Sequence, residues 1–263
     1  MAIQTMKTAL LAFGLTVGLA SGVGLASGPA LAAGEAVDLI NEHFHHEGPF
    51  GAFDKAAVQR GYQVFTTVCA SCHGAKYLAF RNLGEIGYNE DQIKAMASQY
   101  TVTDGPNDDG EMFDRPAIAS DYFPSPYPNE KAARAANGGA YPPDLSLITK
   151  AREHGTDYVY SLMVGYEEAP ADVTIGEGMY YNAYFAGHQI GMPQPLYGDD
   201  VTYQDGSSSD IHQEAHDVVS FLHWLAEPKL EERKRTGIKA MIFLVIFSGI
   251  FYAYKRRVWA DLH

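Results

Sequence analysis

Two cysteines and a histidine stand close together in the first third of the chain, as Cys69-Ala70-Ser71-Cys72-His73. In the spacing C-x-x-C-H, two thiols can bond to the vinyl groups of haem while the adjacent imidazole ligates its iron. These are the two cysteines of a 263-residue sequence, which is too few for a disulfide-rich scaffold or a four-thiolate metal site. The motif predicts one covalent haem c, with thioethers at Cys69 and Cys72 and an axial ligand at His73.

Three other uses of the motif fit the sequence less well. A thioredoxin-like dithiol needs a βαβ context, and a zinc ribbon needs a second cysteine pair. A disulfide between Cys69 and Cys72 is compatible with an exported protein but leaves His73 unexplained. The haem interpretation uses all three residues.

The second axial ligand decides whether such a haem transfers electrons or binds substrates. A filled His/Met site raises the reduction potential and suits an electron carrier, whereas an open site suits a peroxidase. Met192 is favoured because it lies in a loop where glycines permit close approach and prolines stiffen the backbone. Met179 and His188 remain the main alternatives. Other residues that spacing leaves as candidates are Met96, Met112, Met163, His154, His212, His216 and His223. Of these, Met163 and the last three histidines are better explained by packing or by a solvated helix face.

Helix signals dominate the central part of the chain, and alternating strand patterns are nearly absent. Capping residues and apolar periodicity predict helices over residues 54–68, 89–100, 129–136, 144–152, 156–166 and 210–228. Long stretches rich in Gly, Pro and Tyr separate them, for example 105–128 and 167–209. The prediction is one mainly α domain, in which a prosthetic group organises loops that are unusually long for a compact fold.

Both ends of the chain carry targeting or membrane signals. Residues 1–32 combine Lys7, an uncharged apolar stretch and an Ala-x-Ala site, which predicts a secretory signal peptide cleaved after Ala32. Residues 238–254 are apolar except for Lys239 and are followed by three cations, which predicts a membrane span at the short limit of length. The expected topology is a periplasmic domain at 33–237 and a cytoplasmic tail at 255–263.

The net charge of the chain indicates which class of partner it would bind. The full sequence has 32 acidic and 19 basic residues, a net charge of −13, which argues against a nucleic-acid partner. Residues 33–237 hold 31 of the acids and 14 of the bases, so this part alone carries −17. We expect a basic partner, with the acidic runs 104–114 and 167–177 as two candidate docking segments or, alternatively, as solvated loops.

Taken in order along nearly the whole mature chain, these motifs resemble the cytochrome c1 family. The resemblance rests on VCASCHG at 68–74, AANGGAYPPDLS at 135–146, DYV at 157–159, GY at 165–166, IGMP at 190–193 and WLAEP at 224–228. A basic segment and a single carboxy-terminal span follow, as the family pattern requires.

The resemblance implies specific roles for eight residues. Cys69 and Cys72 would form the thioethers, and His73 and Met192 would be the axial ligands. By the same resemblance, Arg152 and Tyr158 would lie near the haem propionates, and Pro142 and Pro143 would line the haem crevice. Some bacterial members carry a further cysteine pair. Its absence here leaves open what stiffens the loop that contains Met192, called the methionine loop below.

The resemblance also implies a function. Members are the haem subunit of the cytochrome bc1 complex of the inner membrane, where they work beside cytochrome b without an independent active site. They accept one electron from the Rieske iron-sulfur protein and pass it to a soluble basic c-type cytochrome. The alternatives are another membrane-anchored c-type cytochrome that feeds a terminal oxidase or reductase, and a haem peroxidase.

Overall fold

A computed structural model describes residues 37–262, so the signal peptide predicted at 1–32 lies outside the described residues. This part of the chain is mainly helical, as the sequence predicts. Its α-helices are α1 (Lys55–Thr67), α2 (Glu90–Ala97), α3 (Glu130–Ala136), α4 (Gly155–Val164), α5 (Ile211–Ala226) and α6 (Leu230–Val258). Short 3₁₀ helices occur at Cys69–Ser71, Phe80–Ile86 and Ala260–Leu262.

Four helices begin where their predicted capping residues stand. Asp54, Asn89, Asn129 and Asp210 each accept a hydrogen bond from a backbone N–H in the first turn of α1, α2, α3 and α5 respectively. Each cap satisfies a donor that the helix itself leaves unpaired, which typically contributes about 1 kcal/mol. These four starts are confirmed.

The helix predicted over residues 144–152 is wrong, because the segment forms a series of turns. The Asp144 carboxylate does not cap a helix there; its Oδ2 accepts the Lys76 N–H at 2.9 Å. The next residue, Leu145, donates its N–H to the Gly74 carbonyl at 2.8 Å. These contacts join the segment to the residues that follow the C-x-x-C-H motif, and the backbone follows that neighbour instead of a helical path.

The core lies between α1 and α5, with α4 packed on the other side of α5. Phe65 of α1 and Phe221 of α5 are fully buried, with ring centroids 5.3 Å apart. Gly61 is required at the crossing, because a Cβ there would lie 1.9 Å from the Asp217 carbonyl oxygen. Arg60 then forms two hydrogen bonds with the buried Asp217 carboxylate, at 2.8 and 3.0 Å. The pair fixes the register of the two helices.

Two small antiparallel sheets occur within the described residues. β1 (Thr101–Asp104) pairs with β2 (Phe113–Pro116), and β3 (Tyr180–Tyr181) pairs with β4 (Gln189–Ile190). The second sheet ends immediately before the methionine loop and therefore bears on the site below.

The last helix is long and apolar enough to cross a membrane. It begins at Leu230, eight residues before the predicted span, and Leu230 is buried against the domain. From Lys239 to Val258 its residues are exposed. The single candidate membrane helix of the described residues thus continues directly from the domain.

Candidate functional site

The C-x-x-C-H motif turns sharply as soon as α1 ends. The Cys69 carbonyl accepts hydrogen bonds from the backbone N–H groups of Cys72, at 3.1 Å, and of His73, at 2.9 Å. Both thiols are free. Burial raises the pKa of Cys69 to about 12, so its thiol is neutral. The turn holds two uncrosslinked cysteines and the imidazole on one short segment.

The imidazole of His73 is oriented by the backbone of the proline segment. Its Nδ1 lies 2.7 Å from the Pro143 carbonyl oxygen. A carbonyl only accepts hydrogen bonds, so Nδ1 carries the hydrogen and Nε2 keeps its lone pair. Burial lowers the pKa of His73, an effect opposed by the Pro143 contact and by Asp144. A neutral ring with a fixed tautomer is the form in which histidine ligates a metal.

A cavity of about 520 Å³ opens beside the motif, and it is the point at which the predicted site residues meet. The residues that line it include Cys69, Cys72, His73, Pro142, Pro143, Arg152, Tyr158 and Met192. They come from four separate stretches of the sequence, which the folded chain brings to one space. The volume lies within the range of about 300–1,000 Å³ that small-molecule and cofactor sites occupy.

Most of the remaining wall is apolar. It includes Ile148, Leu162, Met163, Phe185, Val218 and Leu222. The face of α5 that contains Val218 and Leu222 could be recognised from its helical periodicity, although nothing in the sequence aimed it at this cavity. No sequence signal identified Phe185. Apolar walls of this kind exclude water and favour a flat hydrophobic group over a free ion.

The methionine loop is held at both ends. The register of β3 and β4 pairs Tyr180 with Ile190, two residues before Met192. The Tyr166 hydroxyl donates a hydrogen bond to the Met192 carbonyl at 3.0 Å. On the far side, Gln194 donates to the Leu196 carbonyl at 2.7 Å. These contacts stiffen the loop without a disulfide.

The other candidate ligands are positioned differently. Met163 lines the cavity from α4 as part of the core, as predicted from its helical face. Met179 is 36% exposed, and the ring of His188 stacks on Tyr181. His216 stacks on Phe44, and neither it nor the remaining candidates Met96, Met112, His154, His212 and His223 is among the lining residues. Met192 is the candidate that combines a cavity position with a non-helical loop.

Arg152 and Tyr158 lie where a charged edge of a bound group could reach solvent. Arg152 is exposed, although it lines the cavity, and one of its nitrogens donates to the neighbouring Ala151 carbonyl at 3.0 Å. Within residues 37–262 it forms no ion pair. Tyr158 is half-buried in α4. An exposed guanidinium and a phenol that line the same cavity suit carboxylate recognition.

The set of donors fits haem better than a bare metal ion. The cavity offers two free thiols, one tautomer-fixed imidazole and the thioethers of Met163 and Met192, while the described residues contain no group of three His, Cys, Asp or Glu that could hold a metal ion. They also contain no parallel strand pair of the kind a thioredoxin-like dithiol would require. Fold and cavity define a helical domain with a cavity whose side chains suit a prosthetic group, continued by one candidate membrane helix.

Comparison with known proteins gives the family. Residues 44–262 match the model of the Cytochrome C1 family, and the chain belongs to that family. It is therefore a member of a family of haem proteins that act in electron transport.

Similar proteins occur in bacteria and in plants. Cytochrome c1 of Rhodospirillum rubrum is 44% identical over 98% of both chains. The mitochondrial haem protein cytochrome c1 2 of Arabidopsis thaliana is 51% identical over 82% of this chain and 71% of its own. Cytochrome b/c1 of Bradyrhizobium diazoefficiens is 54% identical over 82% of this chain, which spans 35% of that longer protein.

Proposed function

We propose that this chain is the haem-bearing electron-transfer subunit of a cytochrome bc1 complex. It accepts one electron from the Rieske iron-sulfur protein and passes it to a soluble basic c-type cytochrome. The observation that carries the proposal is the single cavity lined by Cys69, Cys72, His73 and Met192. Membership of the cytochrome c1 family and the similarity to a protein named cytochrome b/c1 support cytochrome b as the neighbouring subunit.

The residues around the cavity would hold one covalent haem c. Cys69 and Cys72 form the thioethers, and His73 and Met192 ligate the iron. The haem supplies the one-electron redox change. Pro143 fixes the His73 tautomer through its carbonyl, and Tyr166 restrains the backbone of Met192.

Residues at the margin of the cavity complete the proposed site. Arg152 and Tyr158 bind the propionates, because an exposed guanidinium can form charge-assisted hydrogen bonds with carboxylates. Pro142 and Pro143 form the crevice beside the motif. The apolar side chains of α4 and α5 keep water away from the iron, which favours reversible electron transfer over ligand chemistry.

The membrane arrangement follows from the two ends of the chain. Residues 1–32 are a cleaved signal peptide, and 33–237 form the periplasmic haem domain. Residues 238–254 cross the inner membrane as part of α6, and 255–263 are cytoplasmic. The exposed apolar surface of α6 supports the span, and the signal sequence supports the direction.

The acidic run 167–177 is the better candidate for docking the basic acceptor. It is joined to the methionine loop, since Gly176 donates its N–H to the Gln189 side chain at 2.9 Å and Gln189 donates to the Thr174 carbonyl. The run 104–114 lies on the β1–β2 hairpin, and its Asp104 already pairs with Arg115. Electron transfer favours contact close to the haem.

Purification in mild detergent tests the proposed function most directly. We expect a cytochrome b and an iron-sulfur protein to co-purify with this chain, and an optical redox titration to resolve a haem c beside the b-type haems. A haem c that travels without those partners would favour a different membrane-anchored cytochrome. High-spin ferric haem with peroxide turnover would favour the peroxidase.

The docking segment is tested with two matched charge changes. Glu167→Gln with Glu168→Gln should reduce both the rate of electron transfer to a basic cytochrome and its dependence on ionic strength. Asp108→Asn with Asp109→Asn removes the same charge from the hairpin and should leave both nearly unchanged. The reverse result would transfer the docking role to run 104–114.

A further inference from the structure

A second cavity lies where the domain meets the start of the candidate membrane helix. Its volume is about 430 Å³, and it is lined by residues 49–52 of the amino-terminal segment and by Glu231, Lys234, Arg235, Ile238 and Lys239 of α6. It is separate from the haem cavity, and nothing in the proposed electron transfer uses it.

The side chains that line this second cavity, called the groove below, carry a net charge opposite in sign to that of the rest of the domain. Residues 33–237 carry −17, yet three cations line the groove against Glu231 alone. One oxygen of Glu231 already accepts the Phe53 N–H at 3.0 Å. Arg235 and Lys239 are exposed, and within residues 37–262 neither forms an ion pair. The groove therefore offers two uncompensated cations to an anion.

The loop on the other side of the groove presents an exposed aromatic residue. Phe50 is 83% exposed. The loop beneath it is closely folded, since a Cβ on Gly51 would lie 1.9 Å from the Glu47 carbonyl oxygen. Lys234 fastens the loop to α6 by donating hydrogen bonds to the His46 carbonyl at 2.6 Å and to the Gly51 carbonyl at 3.1 Å. Phe50 is thus held out from a fixed base beside the helix.

The position of the groove along α6 matches the depth of the lipid headgroups. The apolar run begins at residue 238, and a rise of about 1.5 Å per residue puts Arg235 only ~5 Å before it. Lys239 lies at its first turn. The headgroup layer on each side of the hydrocarbon is roughly 5–8 Å thick. A helix that enters the hydrocarbon at residue 238 would therefore hold these cations at the level of the headgroups, beside the loop that presents Phe50.

We propose that this groove binds the headgroup of an anionic phospholipid, with Arg235 and Lys239 on the phosphate and Phe50 against the acyl chains. Cations near a membrane surface attract anionic lipids, and an aromatic ring at the interface adds apolar contact. Lys234 acts differently, because it holds the loop in place through its two carbonyl contacts. The site requires neither the haem ligands nor a partner subunit.

Photocrosslinking on the haem-loaded full chain in phosphatidylcholine nanodiscs tests the proposal. The probe is a photoactivatable phosphatidylglycerol, and labelled peptides are located by mass spectrometry. We expect labelling of residues 47–55 or 235–241 that unlabelled phosphatidylglycerol competes away, whereas phosphatidylcholine and free glycerol phosphate do not. Arg235→Gln with Lys239→Gln should weaken the affinity for phosphatidylglycerol, as measured by this competition, about 30-fold. Each interfacial cation contributes roughly a factor of five to that affinity.

Two further variants separate this site from general charge attraction. Arg256→Gln with Arg257→Gln removes the same charge from the other end of α6 and should leave labelling of residues 47–55 intact. Phe50→Ser should weaken the lipid contact roughly 10-fold without altering the haem spectrum. The proposal would be overturned if the variant with both Arg235 and Lys239 changed were labelled as strongly as the unaltered chain. It would also be overturned if phosphatidylcholine or glycerol phosphate competed as well as phosphatidylglycerol. Crosslinks from residue 50 to another polypeptide in the assembled complex would have the same meaning.

Discussion

The hydroxyl of Tyr166 donates a hydrogen bond to the main-chain carbonyl of Met192, at 3.0 Å. Tyr166 stands just beyond the carboxyl end of α4, and a β-bridge to Asn182 fixes its backbone. The buried side chain of Asn182 in turn accepts the N–H groups of Tyr184 and Phe185, at 3.0 and 3.1 Å. The proposed sulfur ligand is therefore positioned by α4 and a polar side chain, in a protein with no disulfide at this loop.

Tyr166→Phe should loosen the methionine loop while it preserves the ring. Loss of one hydrogen bond to a partly buried carbonyl costs about 1 kcal/mol. If Met192 ligates the iron, added imidazole should displace it with an apparent dissociation constant lowered about 5-fold. An optical titration measures this change. Tyr122→Phe, at a phenol 54% exposed and outside the cavity, is the matched control and should titrate like the unaltered protein.

Met192→Leu should produce a larger change of the same kind. Leucine keeps the volume and removes the thioether, so the haem should lose the ligand that raises its potential and should bind exogenous ligands. Redox titration and ligand binding measure the two effects. Met179→Leu, at an exposed methionine outside the cavity wall, is the control. An unchanged potential in the Met192 variant, with a fall in the Met179 variant, would move the axial ligand to Met179.

Local chemistry explains why much of this arrangement could be predicted from sequence. Asp54 and Asp210 each cap a backbone N–H no more than three residues further along the chain. The starts of α1 and α5 can therefore be predicted from the local sequence. The C-x-x-C-H motif is equally local. The family pattern added Arg152 and Tyr158, and both line the cavity with the motif residues.

Hydrogen bonds between residues far apart in the sequence explain which features could not be predicted from it. Asp144 looks like a helix cap, but its carboxylate bonds to Lys76, 68 residues away in the sequence. No local pattern indicates such a partner. The same holds for the hydroxyl of Tyr166 and for the contact between Lys234 and the His46 carbonyl, which is 188 residues distant. Sequence predicts elements well where the decisive hydrogen bond is short-range.

Truncation after residue 237 should release a soluble domain that still binds haem. The cut keeps Leu230, which is 3% exposed, and Lys234 with its two contacts to the amino-terminal segment. It removes the apolar part of α6, which is exposed from Lys239 to Val258. Fractionation and the haem spectrum measure the outcome. Retention in the membrane would show a second anchor.

A truncation after residue 226 is the informative comparison. It also removes Leu230 and Lys234, so the amino-terminal segment loses its attachment to α6. We expect this shorter domain to unfold at a lower temperature than the one that ends at residue 237, although both should be soluble. Equal thermal stability of the two would mean that the contacts of Leu230 and Lys234 contribute little.

The stability of the domain should depend on a stacked pair of histidines. The rings of His46 and His223 lie 4.2 Å apart, and the Nδ1 of His223 lies 3.2 Å from the Thr149 hydroxyl. The pKa of His46 is lowered to about 3 and that of His223 to about 4, mainly by burial and partly by the positive charge of Lys234. Both rings are therefore neutral in the folded protein at physiological pH.

Stability should fall as the pH drops below 6.5. The unfolded chain takes up protons at both histidines near pH 6.5, whereas the folded chain does so only near pH 3–4. The contribution is complete above pH 6.5, and each histidine costs about 1.4 kcal/mol per pH unit below it. Thermal unfolding of the full chain across this window measures the slope. His223→Gln should reduce the slope by about half, because glutamine can still form a hydrogen bond to Thr149 and cannot titrate, while His46 still does. His45→Gln, at an exposed neighbouring position, should not. Equal slopes in both variants would contradict the assignment, because they would place the titrating groups elsewhere.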